Sequence, residues 1–577
     1  NPSVHRLATL VDSLVSFPRH LSQHTGGFVI ARDALSALVP IENAAMADRT
    51  VIQWDKDDLE ALGLLKVDVL ALGILTAIHK SFDLIAEHRG RQLSMATVPA
   101  EDRRVYAMIQ RADTVGVFQI ESRAQMAMLP RMLPKCFYDL VIEVAIVRPG
   151  PIQGGMVHPY LRRRQGIEPV SYPSPGVRAV LERTLGVPIF QEQAMQLAVV
   201  AAGFSPGEAD QLRRAMAAWR RRGGLAPFEE RLISGMRERG YDEAFARRIF
   251  QQIQGFGDYG FPESHSASFA LLVYVSAWLK CHEPAVFACA LLNSQPMGFY
   301  APSQLVQDAR RHGVQVLPVD VVASFWDCTL ERNASGADAG EKCRLALRLG
   351  FRMIKSFAEK SAEALTTARA EAPFASIADL TRRSRIRHQD MNRLAGAGAL
   401  ERFAGNRHRA HWQVLGVEAP LPLLVAPDFN EAEPMLPVPG EGQNLVADFQ
   451  SLGLTLGRHP VALLRTRLKT LRMATAAEIR RCRHGEHVRA AGIVINRQRP
   501  STASGVVFMT LEDETGHINV VVWPWVVERQ RREVVGSRMV GIYGTIEREG
   551  EVVHLVVGRI IDLSHLLGRL HTSSRDF

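Results

Sequence analysis

Between residues 488 and 562 the apolar residues recur at every second position, whereas from about 74 to 330 they recur at helical spacing. A strand turns alternate side chains to opposite faces and a helix repeats every 3.6 residues, so the second region reads as helices and the first as strands. The pattern is that of a mainly helical body followed by a β-rich module. Five runs carry the two-residue period: Val488–Ile495, Gly505–Leu511, His517–Trp523, Arg538–Ile546 and Val552–Ile560. A short helical stretch, Trp525–Arg532, separates the third from the fourth.

Five strands with a helix after the third is the order of an OB-fold, a small barrel that commonly binds single-stranded nucleic acid on one face. Arg497 and Arg499 in the first loop and Phe508 on the second strand are the expected contacts. The competing use of such a barrel is as a protein-docking module.

The 577 residues have room for about four domains. A net charge of +9 points to an anionic partner, for which nucleic acid is the usual candidate. The six cysteines show no CxxC spacing, so neither a zinc site nor a disulfide framework is indicated, and a reducing cytoplasm fits. The longest apolar stretch, Ala267–Leu279, is too short to span a bilayer and reads as a buried helix. The first residue is Asn1. Leu7, Leu10, Val11, Leu14 and Val15 make an amphipathic helix that Asp12 interrupts, which is not a signal-peptide core. An N-terminally trimmed chain is expected.

Within Leu64–Leu70 a single carboxylate, Asp68, sits in an apolar run that reads as a buried strand. A carboxylate buried there needs a partner or a metal. Lys66, two residues away, leaves a strand by the same face, so a structural Lys–Asp pair is one reading and a metal ligand the other. Asp55, Asp57 and Asp58 precede a helix, where acidic residues suit the cap and the dipole.

Four segments of the helical body stand out: Gly116–Arg123 followed by Val147–Pro151, Ile189–Gln193, Asp210–Gly224, and Gly257–Ala267. Arg213 and Arg214 can reach two oxygens of one polyphosphate or merely solvate two helix faces. Arg220, Arg221 and Arg222 precede two glycines and read as a flexible basic loop for a phosphate backbone. Gly255–Gly260 formally matches GxGxxG but follows a helical pattern rather than a strand, so no dinucleotide fold is supported. His265 reads either as a base or as a hydrogen-bonded loop histidine. Residues 345–412 form a small helical unit in which the turn at Gly396 and Gly398 could bring backbone N–H groups to phosphate, with Arg407 and Arg409 nearby. A Pro-rich linker follows over 413–445.

In this order the segments resemble the bacterial DNA polymerase III alpha-subunit family of C-family DNA polymerases. The resemblance starts at His24-Thr25-Gly26-Gly27, passes through Lys66-Val67-Asp68 and the four segments, and reaches the barrel. Ala215-Met216-Ala217-Ala218-Trp219-Arg220 stands where replicative members continue with lysines, so the error-prone, damage-associated branch is the nearer likeness. The resemblance implies a thumb remnant over 1–23 and the C-terminal part of a polymerase-beta-like palm over 24–73. Fingers follow over 74–344, then a helix-hairpin-helix unit over 345–412 and a linker and connecting segment over 413–487. The OB-fold would occupy 488–565 and a tail 566–577.

By the same resemblance Asp68 is one of three palm carboxylates for two Mg²⁺ ions, and Lys66 lies beside the phosphates. Arg213 and Arg214 would clamp the incoming dNTP, while Gln119, Ser122, Arg123 and Arg148 would shape the nucleotide and template pocket. Arg220–Arg222, Gly396, Gly398, Arg407, Arg409, Arg497, Arg499 and Phe508 would contact primer-template DNA. The departures are as informative. No Asp-x-Asp segment matches the other two carboxylates, so the chain alone is expected not to polymerise. The first hairpin, Ile354–Glu359, lacks its glycines, and residues 413–487 hold no Gln-Leu-x-x-Phe clamp peptide, so a sliding clamp would be reached through an accessory protein. The rivals are a replicative alpha subunit and a non-catalytic DNA-binding repair factor.

Overall fold

A computed structural model describes residues 2–15, 27–44, 48–54, 56–69, 72–148, 151–152, 154–222, 226–255, 261–298, 300–332, 345–417, 434–500, 503–570, 572 and 574–576; the side chains of 56, 57, 60, 68, 216–222, 226, 227, 575 and 576 are not among those described. Residues Asn1–Leu75 form one unit and Thr76–Phe577 a second.

The first unit begins with helix α1 (Pro2–Leu14), which buries none of its side chains. Strand β1 (Gly27–Ile30) pairs antiparallel with β2 (Leu65–Asp68), setting Phe28 opposite Val67, Ile30 opposite Leu65, Val29 opposite Lys66 and Gly27 opposite Asp68. Alternation puts Phe28, Val67, Ile30 and Leu65 on one face, and all four are exposed, Leu65 by 60%. The expectation of a buried strand is thus corrected. A two-stranded ribbon buries a face only when a second layer covers it, and among the described residues none covers this one.

The second unit opens with a helical body. Helix α2 (Arg123–Met132) is capped by Ser122, and α3 (Phe137–Ile146) is buried from Asp139 onward. Helix α4 (Pro206–Arg222) runs through the expected basic loop. Ala215, Met216, Ala217 and Ala218 are strong helix formers, so the backbone at Arg220–Arg222 stays helical and the loop reading there is corrected. The apolar run became α5 (Glu263–His282), buried from Leu272 to Lys280 and packed on α3. Among the described residues no helix is long and apolar enough to cross a membrane. Each large apolar side chain buried in this body contributes roughly 1.5–3 kcal/mol. Helix α6 (Pro302–Arg311) is held to α5 by Lys280, whose buried ammonium meets Asp308 at 2.7 Å, Asp113 at 3.1 Å and the Val115 carbonyl at 3.0 Å.

A small sheet escaped the sequence reading. Strand β3 (Val316–Leu317) runs parallel to β5 (Leu345–Arg348), which pairs antiparallel with β4 (Thr329–Arg332). Strands of two to four residues leave too short a run for a period to show. Helices α7 (His388–Gly396), α8 (Arg407–Gly416) and α9 (Glu441–Ser451) follow.

The barrel consists of β6 (His487–Gln498), β7 (Val507–Asp513), β8 (Gly516–Val522), β9 (Met539–Glu549) and β10 (Val552–Asp562), with two short helices between β8 and β9. The order β9-β10-β8-β7-β6 closes through pairing of β9 with β6. Inward residues such as Met509, Leu511, Val520, Ile542 and Leu555 are fully buried, as the two-residue period requires. Gly544 sits where the β9–β10 register shifts, and a Cβ there would collide with the Val556 carbonyl oxygen. A last strand, β11 (Arg575–Asp576), lies parallel to Asn496 and Arg497.

Candidate functional site

The loop before α2 is shaped by two left-handed residues, Gly116 at φ 77° and Gln119 at φ 59°. A Cβ on Gly116 would meet Leu291 at 2.7 Å, so the loop can approach the body only with glycine there. A non-glycine residue in this region is held by its surroundings, here by the Thr114 hydroxyl donating to the Ile120 carbonyl at 2.8 Å. The Gln119 Oε1 accepts from an Arg148 Nη at 2.7 Å, Arg148 Nε donates to the Val144 carbonyl at 3.1 Å, and the guanidinium lies 4.9 Å from the Phe261 ring centroid. The two halves of the first segment singled out in the sequence therefore meet through a direct hydrogen bond.

Ser122 and Arg123 point elsewhere. The Ser122 hydroxyl accepts from the Gln125 N–H as a helix cap. Arg123 donates to the main-chain oxygens of Met509 at 2.7 Å and Val520 at 3.1 Å, and lies 5.3 Å from the Phe508 ring centroid. Its role here is to join the helical body to the barrel rather than to line a pocket with Gln119. Burial pulls the Arg123 guanidinium below the ordinary arginine range. Phe508 is half-buried.

Arg213 and Arg214 share one carboxylate: Asp210 lies 2.9 Å from the first and 2.8 Å from the second. The hydrogen bond from Arg213, with the charge of Arg214, holds Asp210 below its ordinary range. All three are accessible, so an anion could draw the two guanidiniums away from Asp210. Arg220–Arg222 end α4, and their side chains lie outside the described residues.

The remaining expected DNA contacts divide. Gly398 adopts φ 76°, and the N–H groups of Ala397, Gly398 and Ala399 donate to the carbonyls of Arg393, Ala395 and Leu394, so they close α7 instead of standing open to phosphate. Arg407 is buried; it pairs with Asp448 on α9 and donates to the Asn444 carbonyl at 2.9 Å, which makes it a tie between α8 and α9. Arg497 is buried too, donating to the carbonyls of Val534 (2.7 Å) and Ser537 and to the Ser574 hydroxyl (2.6 Å). Both readings as DNA contacts are corrected, since each guanidinium is buried and turned to acceptors inside the fold. Arg409 and Arg499 are exposed, and Gly396 is partly so. His265 packs its ring against Phe261 and Phe269. Residues 256–260, most of the glycine-rich match, lie outside the described residues. In the first unit, Lys66 is half-buried on β2 and the Asp68 backbone faces Gly27, while the Asp68 side chain is not among those described.

Four family models match in chain order. The bacterial DNA polymerase III alpha NTPase domain covers 1–71 and the bacterial DNA polymerase III alpha subunit finger domain 74–240. A helix-hairpin-helix motif covers 313–410 and an OB-fold nucleic acid binding domain 488–563. The whole chain is 62% identical to an error-prone DNA polymerase of Alkalilimnicola ehrlichii and 60% to one of Methylococcus capsulatus, and spans 56% of the length of each. A third, from Pseudomonas fluorescens, is 59% identical.

The chain belongs to the bacterial DNA polymerase III alpha-subunit family. It spans a little over half the length of the curated relatives it matches. In this alpha-family chain the barrel is docked on the helical body at several points that the sequence did not disclose. Besides Arg123, Gln307 on α6 donates to Glu512 at 2.8 Å and Arg131 pairs with Glu549 at 2.7 Å. Contacts between residues hundreds of positions apart leave no local pattern. Glu143 on α3 did leave one, a lone carboxylate in Val141-Ile142-Glu143-Val144-Ala145-Ile146. It is fully buried, neither oxygen has a hydrogen-bond partner among the described residues, and burial pushes its carboxyl up to about 8.

Proposed function

We propose that this chain is the palm-end, fingers and barrel portion of an error-prone, template-directed DNA polymerase that adds dNTPs to a primer 3′-hydroxyl. The collinear match at 62% identity to proteins named error-prone DNA polymerase carries the reading. Gln119 and Arg148 would form a hydrogen-bonded wall of the nucleotide pocket. Arg213 and Arg214 would pass from Asp210 to the triphosphate, a bidentate exchange to which guanidinium is suited. Arg409, Arg499 and the end of α4 would touch primer-template DNA. The setting would be the cytoplasm, with a sliding clamp reached through an accessory protein.

Nucleotidyl transfer of this kind would draw on two Mg²⁺ ions to activate the primer hydroxyl and neutralise the leaving pyrophosphate, and Asp68 would be one of the carboxylates that hold them. The described residues do not make that set. Asp68 is the single acidic residue of β2. The one group of metal-type ligands among the described residues, Asp113, Asp308 and His312, already encloses the Lys280 ammonium. Two further carboxylates must come from the portion of the relatives that this chain does not span. The uncovered apolar face of the β1–β2 ribbon supports the same view, since a larger palm would give it a second layer.

Primer extension tests the reading. Asp68→Ala in a full-length relative should cut the rate by several orders of magnitude, and this chain alone with Mg²⁺ and dNTPs should extend nothing. Undiminished extension by the Asp68→Ala enzyme would remove Asp68 from the chemistry.

A further inference from the structure

Where the fingers meet the barrel there is a cavity of about 670 Å³, within the 300–1,000 Å³ usual for small-molecule sites. Its barrel wall is a row of polar side chains across three strands. The register sets Asn496 opposite Thr510 and Thr510 opposite Asn519, with Gln498 one row further on. Among the described residues none of these four side chains has a hydrogen-bond partner, although together they offer amide donors, amide acceptors and a hydroxyl. From the fingers side Arg123 lines the same cavity, and its buried Nε is likewise without a partner. Arg111 and Arg480 add two more guanidiniums, against the two carboxylates of Glu121 and Glu551.

We propose that this cavity binds a free nucleoside phosphate. The amide–hydroxyl row would read the base edge, and the guanidiniums would take the phosphates. The carboxylates would accept from exocyclic amino groups of the base. A free nucleotide suits the seam better than a continuous strand. The seam is tied by Arg123 to β7 and β8, by Arg131 to Glu549 and by Gln307 to Glu512, and threading a strand would break those ties. The proposal stands apart from the polymerase reading, because it asks for binding and not for turnover.

The test is equilibrium dialysis of the 577-residue protein against labelled dATP and, separately, against a short oligothymidylate. An Arg213→Ala/Arg214→Ala background removes the guanidiniums expected to clamp a triphosphate elsewhere, and the cavity substitutions separate this site from the Gln119–Arg148 wall. In that background dATP should still bind saturably. Asn519→Asp, which puts a carboxylate in the amide row, should weaken it about tenfold or more. Ala127→Phe, which fills the cavity from α2, should do the same; if that variant melts early, Asn519→Asp decides alone. No saturable dATP binding in the background, binding indifferent to the cavity substitutions, or capture of oligothymidylate in preference to dATP would each overturn the proposal.

Discussion

Glu143 departs furthest from the rule that a buried charge must be paired. Its carboxyl titrates near 4.5 when exposed and is pushed up to about 8 in the fold, so the folded state holds a proton that the unfolded chain has lost. The stability tied to this proton is complete below about 4.5 and is lost as pH rises through about 8. Glu143→Gln should therefore flatten the decline of the melting temperature that runs from about pH 4.5 to about 8, as differential scanning calorimetry from about pH 5 to about 9 would show. An unchanged slope would mean that water or a rearrangement reaches the carboxylate. Reading Asp68 as special rested on a lone carboxylate in an apolar run, and Glu143 satisfies the same criterion. It escaped notice because a helix normally keeps one wet face, whereas α3 is buried on every side from Asp139 to Ile146. The arginines teach a related lesson. Charge is visible in a sequence, but whether Arg407, Arg497 and Arg123 face solvent or internal carbonyls depends on elements tens to hundreds of residues away.

At the level of the element, α4 is a clasp. Asp210 gathers Arg213 and Arg214 into one cluster at its exposed surface, so an incoming polyphosphate competes with a carboxylate already in place. Asp210→Asn should tighten dATP binding severalfold in the same dialysis measurement, whereas Arg213→Ala should weaken it. Equal affinities across the three proteins would dissociate this helix from nucleotide recognition. The barrel strands were legible because one face is core and the other is not, which writes a period of two into the chain. The helical ending at Arg220–Arg222 was less legible, since the glycines that follow suggested a loop while the alanines before them set the helix. The ribbon of β1 and β2 misled in the opposite way. Its apolar residues are those of a covered strand, but the layer that would cover them does not belong to the described residues.

Across the whole molecule, the +9 charge is the property that a DNA backbone would sense first. Affinity for duplex or primed DNA should fall steeply with salt. Replacing Arg220, Arg221 and Arg222 with alanine should lower the log–log slope by roughly one for each phosphate that no longer finds a guanidinium. A fluorescence-anisotropy titration at several salt concentrations reads this directly, and an unaltered slope would place the DNA path away from the end of α4. The same measurement on Arg407→Lys or Arg497→Lys should show little change in slope, because those side chains are occupied inside the fold.

The grip of Arg123 on the barrel has one more consequence. Its hydrogen bonds go to two main-chain oxygens, and every residue type supplies such an oxygen. Natural variation can rewrite the lettering of β7 and β8 without loosening that hold, so a barrel transplanted from a distant cousin should still latch onto these fingers. Chimaeras would be the natural way to exchange one module while keeping the other.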